Sequence, residues 1–268
     1  MRLELIMPDI CEDKEYRFHL AKTAPSGKRP LDALAKSDDE WLRWQLYRGT
    51  AKERFTKDLI VTFAQISGER FLFGGIFEIK SRESKQYRVE LIDRYSELIG
   101  RLVLKVHGEN KRATVFKPSY VCSNSVIAGM YEHKFKGEPF SSFEKINHSF
   151  SAIELIVKND LNDWRAALSS VNGIYLLSDE KTGKHYVGSA YGSEGIWGRW
   201  KSYVHNYHGN NEELVVLFTD KSATYFEKYF KFSILEILPF TSPKEEVIAK
   251  EVLWKRKLFS REYGYNGN

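Results

Sequence analysis

Residues 171–206 read VNGIYLLSDEKTGKHYVGSAYGSEGIWGRWKSYVHN. Two Gly/aromatic triplets, Gly173-Ile174-Tyr175 and Tyr186-Val187-Gly188, flank a polar segment whose Asp, Thr and Gly suit a turn. The pattern predicts two strands, 173–178 and 184–189, joined as a hairpin. A helix is predicted over 195–206. It places Arg199 and Tyr203, four apart, on one side.

The elements that follow complete a small mixed unit. ELVVLF (213–218) reads as a helix, and FSILEIL (232–238) as a third strand stopped by Pro239. A last helix opens at Ser242-Pro243-Lys244-Glu245, with serine as cap and proline in the first turn, and runs to about Ser260. Val247, Glu251, Trp254 and Leu258 share one face of it. Three are apolar, so Glu251 is a carboxylate on a buried stripe, where a charge without a partner is costly. Either it sits at the stripe's edge, reaching water or a lysine, or it points into a cleft because it holds a metal ion. Arg199 is open in the same way: a clamp for an oxyanion or phosphate, or a surface arginine beside core aromatics. His205 and His208 lie in a polar loop, where a solvated histidine is the ordinary case.

Upstream, Ser37 and Glu40 form a capping-box pattern ahead of the helix EWLRWQLYR, which is expected to stop at Gly49. LIVTFAQI, RFLFGGIFEIK, QYRVELI, LIGRLVLKV and ATVF then read as antiparallel strands of a meander or small barrel, with SGE and HGENK among the turns. AIELIVK (152–158) reads as a further strand and NDLNDWRAALSS as a short helix. The expected class is α+β. A β-rich domain spans 1–150, a connecting strand and helix 151–170, and an α/β domain 171–268.

Hydrophobic residues at 42% and aromatics at 14% exclude a globally disordered chain. The N-terminus lacks the apolar run of a secretory signal, and no stretch approaches a membrane span. Cys11 and Cys122 match no disulfide or zinc spacing, so they are expected to be reduced in a cytoplasmic protein. Net charge is +5 and the pI about 8.9, mildly basic. The balance is +4 over 1–168 and +1 over 169–268, so net charge does not locate a binding surface. Local clusters are the alternative. Arg43, Arg48 and Arg54 lie among Trp, Tyr and Phe, and Lys201 follows Trp200; all four are candidate nucleic-acid contacts. The competing reading makes the aromatics core and the cations solvated. Asp58 with Glu78-Ile79-Lys80 fits a loose D…E-x-K metal-nuclease pattern, yet FEIK also reads as an ordinary half-exposed strand.

The order of both triplets, then Arg199-Trp200, a Glu-x-x-Trp helix and a terminal Gly264-Tyr265-Asn266, resembles the GIY-YIG nuclease family. The resemblance covers about 171–268, and YVGSA…RWKSY is similar to phage homing endonucleases and to some restriction enzymes of the family. It implies an α/β sandwich around a three-stranded antiparallel sheet and one divalent metal, Mg²⁺ or another such as Mn²⁺. By position, it implies that Tyr175 or Tyr186 assists the attacking water. Arg199 would stabilise charge on the scissile phosphate and Glu251 would ligate the metal. His208 resembles the loop histidine of many members, Tyr203 stands where members have His or Tyr, and Asn266 matches their C-terminal asparagine. Val187 replaces the isoleucine of the second triplet.

The leading expectation is therefore a metal-dependent DNA endonuclease, restriction- or defence-like, targeted by its N-terminal domain. A homodimer is expected if it makes double-strand breaks, and no membrane partner is expected. The alternatives are a structure-selective repair or recombination nuclease, and an inactive nucleic-acid-binding protein.

Overall fold

In the computed structural model the backbone is described for residues 1–12, 14–25, 27–48, 53–108 and 112–267. The chain forms two units, 1–135 and 136–268. Residues 151–170 pack within the second.

The first unit runs α1 (Pro8–Glu12), β1 (Tyr16–Ala21), α2 (Pro30–Lys36), α3 (Asp38–Leu46), β2 (Leu59–Ser67), β3 (Arg70–Arg82), β4 (Tyr87–Ile92), β5 (Leu102–Val106), β6 (Val115–Phe116), α4 (Pro118–Ser123) and β7 (Ser125–Met130). Its seven-stranded sheet has the order β6-β1-β2-β3-β5-β7, with β4 also on β3. Two expectations change here. β1 pairs in parallel with β2, so the sheet is mixed rather than an antiparallel meander. Among the described residues its end strands β6 and β7 do not pair, so this path does not close into a barrel. Phe18, Phe63 and Phe71 fill one face with residues of α1 and α4. Ile60, Leu72 and Val103 fill the other with Leu31, Leu34 and Trp41 of α2 and α3. Burial on both faces explains why these strands read as unbroken apolar runs.

Ser37 caps α3 by accepting from the Glu40 amide, as the sequence implies, but α3 ends at Leu46. Gly49 and most of the HGENK turn (109–111) lie outside the described residues.

The expectation of reduced cysteines is overturned. Cys11 and Cys122 form a disulfide between α1 and α4, 111 residues apart in sequence but 5.9 Å between Cα atoms. Spacing motifs register only local pairs, and this one is made by the fold. Such bonds persist mainly in oxidising compartments, which runs against the cytoplasmic expectation. No helix among the described residues is long and apolar enough to cross a membrane.

On β1, with its ring bonded to Gln45 of α3, His19 is fully enclosed. Its Nε2 accepts from Arg54 Nη2 at 2.6 Å, because a guanidinium can only donate. Its Nδ1–H donates to Gln45 Oε1 at 2.6 Å, since the Gln45 amide donates to the Trp41 carbonyl. Desolvation first, then the adjacent Arg54, push the His19 pKa down from 6.5 to about 3, against the Gln45 hydrogen bond, which raises it. The unfolded chain takes up a proton near pH 6.5 that the folded chain refuses. Stability is thus intact above that pH and declines as pH falls toward 3. Between pH 6.5 and 4.5 the loss is on the order of 2–3 kcal/mol. Urea unfolding at both pH values checks this: His19→Gln, which keeps a donor and an acceptor, should flatten the dependence. Equal slopes in the two proteins would refute it.

The second unit runs β8 (Asn147–Ser149), α5 (Phe150–Lys158), α6 (Asn162–Ser169), β9 (Val171–Asp179), β10 (His185–Ala190), α7 (Gly195–Asn206), α8 (Glu212–Lys221), α9 (Ala223–Tyr229), β11 (Phe230–Pro239) and α10 (Lys244–Lys257). AIELIVK is helix α5, not a strand. Ser149 Oγ accepts from the Ala152 amide at 3.2 Å, and Phe150, Ile153 and Ile156 are buried. A continuous apolar run has no period with which to tell a strand from a buried helix, and here the cap decides. The sheet has the order β10-β9-β11-β8. Its first three strands are the antiparallel trio the resemblance implied, and β8 adds a fourth. Helices α5, α6, α7 and α9 contribute to the core on one face. α10 packs on the other through Val247, Trp254 and Leu258, against Ile174, Val187 and Leu238.

Candidate active site

Tyr175 pairs across the hairpin with Gly188. A Cβ at Gly188 would overlap the Tyr175 phenol, so the glycine of the second triplet makes room for the tyrosine of the first. Gly173 is required similarly: a Cβ there would lie 2.6 Å from the Glu236 carbonyl of β11. The turn closes on Asp179, whose Oδ1 accepts from the Lys181 amide at 2.9 Å. Its Oδ2 accepts from Thr182, Tyr225 and Tyr265. Burial works against this carboxylate's charge, but those donors outweigh it and its pKa lies below the usual value.

On the α7 side of the sheet, Tyr175 and Tyr203 are fully buried, their hydroxyl oxygens 3.1 Å apart. Arg199 Nε donates to the Tyr175 oxygen at 3.3 Å, and Nη1 to the Gly209 carbonyl at 3.5 Å. Its guanidinium carbon lies 5.6 Å from the Tyr203 ring centre. Desolvation raises the pKa of both tyrosines well above 10, the neighbouring phenols add to it, and Arg199 only partly offsets it. Burial also disfavours the Arg199 charge, but the surrounding phenol oxygens prevail and its pKa moves up. At neutral pH these are two neutral phenols holding a permanent cation.

Tyr186 completes the aromatic group, its ring 6.4 Å from that of Tyr175 and 6.3 Å from that of Tyr203. Unlike them it borders an open cleft of about 390 Å³, whose wall also includes Arg199, Asn211, Lys255 and Asn266. Glu212 and Glu213 form part of the same lining, in the first turn of α8, where helix polarity favours acids.

Glu251 arrives from the other face of the sheet. Ser189, two residues after Val187 and therefore on the α10 side of β10, donates its hydroxyl to Glu251 Oε2. Lys255, one turn along α10, pairs with Oε1 at 2.6 Å. The carboxylate is thus lysine-paired and also joined, through Lys255, to the cleft wall. Of the two readings of the stripe, the lysine-paired one is what the structure displays, and Glu251 meets the cleft through Lys255. Groups from opposite faces can meet here because β10 is the edge strand. Asn266 closes that edge: its amide donates to the Val187 carbonyl at 2.8 Å and accepts from the Val187 amide at 2.9 Å.

The remaining candidates lie elsewhere. His208 Nδ1 accepts from the Asn210 amide at 3.1 Å, and the ring lies near Phe218, away from the cleft lining. Lys201 is exposed on α7. Arg43 is exposed and pairs with Glu40 at 2.9 Å. Arg48 pairs with Glu53 at 2.7 Å, and Arg54 is engaged by His19 and the Tyr47 carbonyl. Of the D…E-x-K set, Asp58 pairs with Arg82 and Glu78 with Lys80, each at 2.5 Å. Sequence reading passed over Ser189 and Lys255. Both were signalled: one by strand alternation from Val187, the other by its i+4 spacing from Glu251.

No group of three or more His, Cys, Asp or Glu poised for a metal occurs among the described residues. A Mg²⁺ ion does not need one. It is held by one or two carboxylates and completes its shell with water and substrate phosphate. Each Glu251 oxygen accepts from one partner and keeps a further lone pair, so the donor set fits a single-carboxylate attachment.

No protein-family model matches the chain, and no curated protein matches it. Among solved structures it is similar to a mutant of the catalytic domain of the intron endonuclease I-TevI, at 29% identity over 37% of this chain and 94% of that one, with a TM-score of 0.29. It is similar also to a second structure of the catalytic domain of the homing endonuclease I-TevI, at 30% identity over 35% of this chain and 96% of that one, with a TM-score of 0.28.

Proposed function

We propose that the second unit hydrolyses DNA phosphodiester bonds with one divalent cation, Mg²⁺ or Mn²⁺, held by Glu251. The observation that carries this is Arg199, fixed by two buried neutral phenols with its guanidinium at a cleft shared with Tyr186 and Lys255. Phosphodiester hydrolysis needs an in-line water, relief of charge on the non-bridging oxygens and a stabilised leaving oxygen. Arg199 supplies the second, with Lys255 as a further cation on the same wall. Tyr175 and Tyr203, enclosed and with raised pKa values, do not act as bases; they hold Arg199 in place. Tyr186 borders the cleft and is the phenol that orients the attacking water. When bound, the divalent cation supplies Lewis-acid stabilisation of the leaving oxygen. Asn266 keeps β10 in register beneath these groups. The first unit selects the target, in a restriction- or defence-like setting, and pairing of two chains would give double-strand breaks from a one-site unit.

Supercoiled plasmid is the direct test. Nicking should require Mg²⁺ or Mn²⁺ and stop with EDTA, and Glu251→Gln should lower the rate at least ~100-fold. A protein that bound plasmid but left it uncut with every divalent cation tried would sink the enzyme reading. A panel of branched, modified and plain duplexes separates the restriction-like role from a structure-selective one.

A further inference from the structure

The end of α10 carries side chains that the catalytic reading does not use. The helix closes with the Ser260 amide donating to the Lys255 carbonyl at 3.1 Å and the Phe259 amide to the Arg256 carbonyl at 3.3 Å. This is the Schellman arrangement, which places residue 259 in the left-handed region, where glycine or asparagine is usual. Here the residue is phenylalanine, at φ +49°. It is also 59% exposed, and its ring packs only loosely on Tyr263, 6.5 Å between centres, which is itself 77% exposed. The fold therefore bears a left-handed aromatic residue that buries little in return. Such strain, kept on a surface, points to a role outside the fold.

The surroundings indicate the partner. Arg256, Lys257 and Arg261 are exposed beside the two rings, with Glu262 the one acid among them. Lys257 lies over the Trp254 ring at 4.6 Å, and neither Arg256 nor Arg261 has an ion pair among the described residues. Cations in a last helical turn are favoured by the helix dipole, which covers Lys255, Arg256 and Lys257. It covers neither Arg261 nor the exposed rings. Cations interleaved with outward aromatics match a polyanion with stacked bases. The segment is also continuous with the cleft, since Lys255 precedes it and Asn266 and Gly267 follow it, and all three line the cleft wall.

We propose that this turn is a DNA-contact surface beside the cleft: Arg256, Lys257 and Arg261 grip the phosphates flanking the scissile bond, and Phe259, backed by Tyr263, wedges against a base step and unstacks it. The inference rests on the nuclease reading for its ligand, so its test measures binding in EDTA, without cleavage. The probe is a plasmid-derived duplex that the wild-type chain nicks, carrying 2-aminopurine at successive steps around the nick. Phe259→Gly relieves the left-handed strain. It should raise the melting temperature by a few degrees while weakening binding ~10-fold and abolishing the 2-aminopurine fluorescence increase. Opposite signs in stability and binding separate a contact residue from a structural one. Arg256→Gln/Lys257→Gln/Arg261→Gln should reduce the salt dependence of binding, log K against log salt, by about 2 to 3.

Unchanged affinity and fluorescence in Phe259→Gly, with wild-type nicking intact, would overturn the inference and leave the nuclease reading standing. So would a loss confined to self-association of the chain, which would make the turn a protein contact. If the wild-type chain neither nicks plasmid nor binds duplex, the nuclease reading fails and the inference with it.

Discussion

Replacing Arg199 with alanine should lower the single-turnover cleavage rate by at least ~1,000-fold while leaving the circular dichroism spectrum unchanged. The size follows from where the guanidinium sits. An arginine in open water would be screened and would lose entropy on meeting a phosphate. This one is half-buried and already held by the Tyr175 hydroxyl, the Gly209 carbonyl and the Tyr203 ring. Its charge is therefore preorganised in a site of lowered dielectric, where a cation aimed at developing charge has most effect. Arg199→Lys should recover little, because an ammonium cannot bond the tyrosine and present two donors to a phosphate together. Tyr175→Phe and Tyr203→Phe should be milder, about 10-fold each, since each loosens the arginine without removing it. A variant Arg199→Ala that cleaved within tenfold of wild type would remove the main support for the mechanism.

Reduction of the Cys11–Cys122 bond should destabilise the first unit by about 4–5 kcal/mol, the loop-closure estimate for a crosslink of this span. The bond joins two helices of six residues or fewer that cover one face of the seven-stranded sheet. Short helices contribute little stability of their own and depend on their packing. In the unfolded chain the crosslink removes the freedom of the long loop between them; in the folded chain it holds α1 and α4 over Phe18, Phe63 and Phe71. The measurement is urea unfolding with and without dithiothreitol, read by probes in each unit. The second unit contains no cysteine and serves as the internal control. A midpoint for the first unit that ignored the reductant would refute the estimate.

The hairpin was legible because its signals are local. The two triplets and the polar turn between them marked the strands, and the paired glycines mark the points where a phenol and a carbonyl of β11 come too close for any side chain. Glu251 was legible for a related reason: one charge on an apolar helical stripe needs a partner. What escaped the sequence is what depends on distant neighbours. β1 lies beside β2 across some forty intervening residues, and AIELIVK has no period because it is buried on nearly every side. The two cysteines meet only once the sheet between them exists. Arg54 looked like an exposed cation among aromatics, and only the fold encloses His19 beside it.

The candidate site is built around the rim of a sheet, which is what lets an arginine from one face and a carboxylate from the other approach the same cleft. A rim is also a row of unspent amides and carbonyls, the part of a β structure most apt to recruit another chain. Asn266 bears on both matters. By offering one donor and one acceptor to Val187, its side chain acts as a single-residue strand, leaving the cleft open while denying the next molecule a template. The asparagine that accompanies the two triplets thus guards the strand edge as well as bordering the cleft.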